Sequence, residues 1–167
     1  MSIIFFSGDR QSGKTTKLFD WCKDKQIVSG ILMPDINKER VLYNIDAKSI
    51  LSTENYSANT DQAKYITIGN YHFLEESFLK ANHIIESAII EQRAFVVVDE
   101  FGKLELNKQG FYPSVLFAVN AIKKKAYSGK LILTVRDLYI DKVINLLEID
   151  NPVIVFETNQ LLNLYNK

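Results

Sequence analysis

Apolar residues in this chain come as short unbroken runs, divided by stretches in which they return every three or four positions. The two spacings alternate from one end to the other. Ile3–Phe6 (IIFF), Ile27–Met33 (IVSGILM), Ala94–Val98 (AFVVV), Leu131–Val135 (LILTV) and Pro152–Phe156 (PVIVF) read as strands, AFVVV having the unbroken β-branched content of one covered on both faces. Between them, Leu18, Phe19 and Cys22 outline a first helix, and Leu74, Phe78, Ala81, Ile85 and Ala88 a longer one reaching Glu91. Val115, Val119, Ile122 and Ala126 outline another, with Pro113 tolerable in its first turn. Asp137 is placed to cap a helix running through Leu147, and Thr158 to cap a closing helix. Arg40–Ile45 reads as an additional strand that folds back on Ile27–Met33 through a turn at Pro34–Lys38, and Ile66–Ile68 as a short strand.

Strands that alternate with helices predict an α/β architecture: a mostly parallel sheet, right-handed crossovers, helices on both faces and a small antiparallel addition. Ligands of such sheets bind beyond the carboxyl ends of the strands. Three strand ends therefore come forward, at Ser7–Arg10, Asp99–Lys103 and Thr134–Asp137.

The first of them holds GDRQSGKTT, Gly8–Thr16, which fits G-x-x-x-x-G-K-[ST] between a strand and a helix. That context is the one a phosphate-binding loop needs. The start of a helix leaves N–H groups unsatisfied and carries partial positive charge, so an anion is stabilised there. Gly8 and Gly13 let the backbone curl around phosphate oxygens, and Asp9, Arg10, Gln11, Ser12 and Thr16 complete the cradle. Lys14 brings a charge to the β- and γ-phosphates, and the hydroxyl of Thr15 offers an oxygen to Mg²⁺. The fold class thereby narrows to a three-layer P-loop NTPase fold.

At the second strand end, FVVVDEFGKLEL puts Asp99 and Glu100 side by side. Asp99 matches the strand-end aspartate with which P-loop proteins hold Mg²⁺, so Thr15 and Asp99 are the candidate metal residues. Mg²⁺ in phosphate sites takes most of its shell from water and phosphate, which leaves Glu100 free to orient a water for in-line attack. Glu100 and Lys14 are the candidate catalytic residues, Lys14 offsetting charge on the transferred group. Arg10 and Arg136 are candidates to help it in cis. Trp21, Tyr71 and His72 are within the set that could touch a base, core packing being the competing role for Trp21.

With 167 residues and 47% hydrophobic content, the chain predicts one P-loop domain over residues 1–167. Twenty basic and twenty acidic residues cancel, which argues against nucleic acid or anionic lipid as a partner. Lys123, Lys124 and Lys125 sit where cations offset the negative end of a helix. The sole cysteine, Cys22, excludes an internal disulfide, and with no long apolar segment the expected home is the cytoplasm, away from membranes.

DEFGKLEL also resembles the D-E-I-G-K-M-E-L signature of the small stand-alone P-loop nucleoside-triphosphatases, a family with a thermophile enzyme and a cancer-related human one among its members. The resemblance extends in order along the chain: the early loop with K-T-T, the GILMP segment from Gly30, the GNY of Gly69–Tyr71 and TVRD after LILTV. It implies a hydrolase converting NTP to NDP and phosphate with Mg²⁺ and modest base selectivity. It assigns the triphosphate cradle to Gly8–Thr16, the metal to Thr15 and Asp99, and activation of water to Glu100. Lys103 matches too, either approaching the γ-phosphate or pairing with Glu105. The chain departs from the family's pattern at Gln11, where glycine is usual, at Pro34 and Asp35, where paired acids are usual, and in the polar loop 52–64.

Two other readings use the same cradle. A nucleotide or small-molecule kinase would bring clustered arginines to two ligands, whereas Arg10, Arg40, Arg93 and Arg136 lie far apart in the sequence. A slow nucleotide-dependent switch would tolerate loss of Glu100.

Overall fold

The computed structural model describes residues 3–9, 11–51 and 64–165. Its centre is a seven-stranded sheet in the order β11-β1-β10-β9-β2-β5-β6. Five of these strands are parallel: β11 (Val153–Val155), β1 (Ile3–Gly8), β10 (Lys130–Arg136), β9 (Phe95–Val98) and β2 (Val28–Leu32). Against β2 the antiparallel β5 (Tyr43–Asn44) and β6 (Ser49–Ile50) extend the edge.

Period-two alternation splits the strand side chains between two cores. On one face, Phe5, Val96, Val98, Leu131 and Leu133 pack with helices α2 (Glu75–Ile90), α4 (Tyr112–Lys123) and α5 (Ile140–Leu147) through Phe78, Ile85, Val115, Val119 and Val143. On the other, Ile4, Phe6, Val97 and Ile132 meet α1 (Lys14–Cys22) and α6 (Thr158–Tyr165) through Leu18, Trp21 and Leu161. Each such side chain, once fully buried, contributes about 1.5–3 kcal/mol. Close approach of β2 to β9 needs a glycine. At Gly30, φ is 121° and a Cβ would lie 2.1 Å from the Val97 carbonyl oxygen.

Elsewhere the chain departs from the pattern-based expectation where tertiary pairing decides. Arg40–Ile45 is not one strand: Glu39–Arg40 (β4) pairs with Asp35–Ile36 (β3) in a separate hairpin, and only Tyr43–Asn44 joins the sheet. The turn placed at Pro34–Lys38 therefore holds one strand of that hairpin. Tyr65–Ile68 (β7) has a partner that alternation did not reveal, Tyr71–Leu74 (β8). A four-residue helix α3, Lys103–Leu106, follows the strand-end acids. Asp137 opens a 3₁₀ turn, Asp137–Tyr139, ahead of α5, and its carboxylate accepts a hydrogen bond from Ser7 rather than capping the helix. At α6 it is Gln160 whose Oε1 accepts the Phe156 and Glu157 N–H groups, at 2.8 and 3.0 Å. Arg10 and loop residues 52–63 lie outside the described residues.

Candidate active site

Because β1, β9 and β10 are parallel, their carboxyl ends converge: Gly8 lies in register with Arg136, and Val98 with Leu133, one residue before Thr134. β10 stands between the other two strands, so its last side chains reach both the loop after β1 and the acids after β9.

Three described residues of the loop after β1 have positive φ. Gly8 and Gly13 have φ of 152° and 77°, and Gln11 is also left-handed at 62°. That conformation costs a residue with a Cβ on the order of 1 kcal/mol, so the Gln11 departure falls at a position where glycine would be easier. Lys14 opens α1, and its Nζ donates to the carbonyls of Gly8 and Asp9, both at 2.7 Å, and to Ser12 Oγ at 3.3 Å. Burial holds its ammonium pKa below the ordinary value, with Glu100 and Asp99 pulling the other way. Gln11–Thr16 line one side of a pocket of about 510 Å³, and Arg40, Glu100 and Arg136 face it.

Asp99 forms the floor. It is fully buried, and its two oxygens take four hydrogen bonds. Oδ2 accepts from Thr15 Oγ1 at 2.8 Å and from the Met33 N–H at 3.0 Å. Oδ1 accepts from the Glu100 N–H at 3.0 Å and from the Thr134 hydroxyl. A buried carboxylate is tolerable only with such partners. Thr15 and Asp99 thus stand together as hard oxygen donors, the ligand type that suits Mg²⁺ when water and phosphate fill the remaining positions.

Glu100 forms the rim. Its backbone is left-handed at φ 57°, held there by N–H donation to Asp99 Oδ1 and to Thr134 Oγ1 at 2.6 Å. Strain of this kind persists only where the surroundings over-determine it. Its carboxylate lies between two guanidinium groups, 3.1 Å from Arg40 Nη1 and 3.6 Å from Arg136 Nη2. Arg40 is itself oriented by Asp35, through contacts from Nε and Nη2 that are each 3.0 Å, and lies 5.2 Å from the centre of the Tyr71 ring. Distance in sequence therefore misleads here: two of the four arginines meet at one carboxylate. Arg40 was the residue that sequence reasoning missed. The signal available was the opposite-charge pair Asp35 and Arg40 across a tight turn, the cross-strand pairing that closes a hairpin.

A family model described as NTPase matches residues 3–157. The chain belongs to that NTPase family. The crystal structure of THEP1 from the hyperthermophile Aquifex aeolicus is similar in fold to this NTPase, with a TM-score of 0.62, 18% identity, and coverage of 93% of this chain and 89% of that one. No curated protein matches the chain.

The remaining candidates of this P-loop NTPase are dispersed. Trp21 is core, edge-on to Phe95 at 5.5 Å between ring centres. His72 is exposed and shares a hydrogen bond with Thr67 at 3.1 Å, whereas Tyr71 faces the pocket. Lys103 is exposed; Glu105, its possible partner, is buried and accepts from the Gly102 N–H at 2.8 Å and the Phe111 N–H at 3.2 Å. Burial pushes the Glu105 carboxyl up to about 7 despite those two donors. Among the described residues, no helix is long and apolar enough to cross a membrane.

Proposed function

We propose that this protein is a Mg²⁺-dependent nucleoside triphosphatase that releases the terminal phosphate of ATP, GTP or another nucleoside triphosphate, with residues 1–167 acting as one domain. The observation that carries this reading is the setting of Glu100. A strained backbone aims its carboxylate into the pocket lined by Gln11–Thr16, and its charge is balanced by side chains suited to phosphate.

The N–H groups of Gly8–Thr16 would bind the phosphate chain, and Lys14 Nζ would leave its loop carbonyls for the β- and γ-phosphate oxygens. Thr15 and Asp99 would hold Mg²⁺, which when bound offsets charge on the phosphate oxygens. A triphosphate competes with Glu100 for Arg136 and Arg40, since phosphate matches the guanidinium fork as well as carboxylate does. Glu100, released, accepts a proton from water as the water oxygen bonds to the γ-phosphorus and the β,γ-bridging bond breaks. We place the enzyme in the cytoplasm, where its sole cysteine, Cys22, buried and with its thiol pushed up to about 12, meets no oxidising chemistry.

The test is phosphate release from a panel of nucleoside triphosphates, with and without Mg²⁺, beside a Glu100→Gln control. Release that needs Mg²⁺ and collapses in the variant, with nucleotide binding kept, supports the proposal. Failure of every nucleoside triphosphate to bind or to yield phosphate overturns it.

A further inference from the structure

Glu100 stands at the junction of two spaces. The pocket lined by Gln11–Thr16 lies on one side; on the other is a cavity of about 340 Å³ that shares Lys14, Met33, Arg40, Tyr71, Glu100 and Arg136 with it but none of Gln11, Ser12, Gly13, Thr15 or Thr16. Its outer walls come from residues the first pocket does not reach: Gly69 and Asn70 of the β7–β8 turn, Phe73 behind it, Leu104 of α3 and Tyr139 ahead of α5, while Tyr71 borders both spaces. One attacking water needs about 30 Å³, so this space is far larger than hydrolysis requires. It falls instead in the range of small-molecule sites, and its rings with a few polar groups match the composition of such sites.

We propose that this cavity binds a second substrate, a neutral, ring-bearing alcohol of about nucleoside size, and that Glu100 activates its hydroxyl as the acceptor of the terminal phosphoryl group. The inference rests on the nucleoside-triphosphate reading of the neighbouring pocket. Charge selects a neutral ligand: Lys14, Arg40 and Arg136 are drawn to the phosphates, and Glu105 is buried with its oxygens on the Gly102 and Phe111 N–H groups, which leaves Lys103 and Glu100 as the opposite charges lining the cavity. Tyr71, Phe73 and Tyr139 are among its lining residues, and aromatic side chains of this kind suit a planar group. The alcohol oxygen forms a bond to the γ-phosphorus, the bond to the β,γ-bridging oxygen breaks, and the alcohol proton passes to Glu100. The products are a nucleoside diphosphate and a phosphate monoester. Gathering Arg40 and Arg136 at one carboxylate supplies the clustered guanidinium groups that a phosphotransferase uses and that the linear sequence keeps apart.

The experiment incubates the full chain with Mg²⁺ and ATP in the presence of each common ribo- and deoxyribonucleoside, or of each nucleoside 5′-monophosphate. ADP, inorganic phosphate and phosphorylated acceptor are measured separately. ADP in at least twofold excess over inorganic phosphate, with a nucleoside monophosphate making up the difference, supports the proposal. Asn70→Trp, at an exposed turn outside the phosphate machinery, should abolish transfer while leaving phosphate release without acceptor within about twofold. Equal ADP and phosphate with every nucleoside overturns the second-substrate site but leaves the triphosphatase standing; transfer to monophosphates alone overturns the neutral ligand. Absence of any ATP binding or turnover overturns both readings.

Discussion

Asp99 and Glu100 are neighbours in the chain and share the same charge, yet their surroundings are built on opposite principles. Around Asp99 everything is buried and directional: two threonine hydroxyls and two backbone N–H groups donate to the carboxylate. Around Glu100 the contacts are ion pairs at a partly open rim, with 27% of the side chain exposed and guanidinium groups that a phosphate could claim. The first arrangement suits a group that must stay where the fold puts it. The second suits a group that must change partners.

That contrast can be broken most decisively at position 100. Glu100→Gln should lower phosphate release by about 10²–10⁴-fold while nucleotide affinity, read by calorimetry, changes little. Stability should move by less than about 1 kcal/mol, because half-exposed ion pairs contribute little. At the floor the outcome inverts. Asp99→Asn would point an amide NH₂ at groups that are already donors, so chemical denaturation should show a loss of roughly 3 kcal/mol. A stable Asp99→Asn protein would erase the distinction drawn here.

Glu105 provides a third carboxylate to sharpen it, buried like Asp99 but held by the backbone N–H groups of Gly102 and Phe111. Burial raises its folded pKa from 4.5 to about 7, so between these values the folded chain holds a proton that the unfolded chain has lost. Its stabilisation is complete below pH 4.5 and fades as pH climbs through 7, by roughly 3 kcal/mol in total. Melting curves across this window should show the decline in the native protein and not in Glu105→Gln. At the rim, Arg40→Ala should slow turnover by about tenfold, and Arg40→Lys should not restore it, since an ammonium lacks the planar fork. The smallest effect belongs to Gln11→Gly, which should add about 0.5–1 kcal/mol of stability by relieving a left-handed glutamine.

Much of this site was legible in the sequence because its parts are local. A strand, a glycine-bearing loop and a helix start are contiguous in Ile3–Cys22, and AFVVVDE writes a buried strand and its terminal acids in seven letters. Even the Gln11 departure was readable, and its backbone lies in the region that favours glycine. What escaped depends on contacts between distant segments. Spacing makes Leu74 the first residue of the long helix, whereas Tyr71–Leu74 pairs with β7 and the helix begins at Glu75. Arg40–Ile45 looks continuous, but its first half is held by Asp35 and its second by β2, so it breaks between them. The meeting of Arg40 with Glu100 spans sixty positions, and no local spacing encodes it.

The left-handed backbone at Glu100 bears on how the protein could be improved. Glycine at position 100 would relax the chain by on the order of 1 kcal/mol and remove the carboxylate with it. A screen that rewards heat resistance alone would thus drift toward a sturdier molecule without the group we propose as the base, and libraries aimed at robustness should leave this codon untouched.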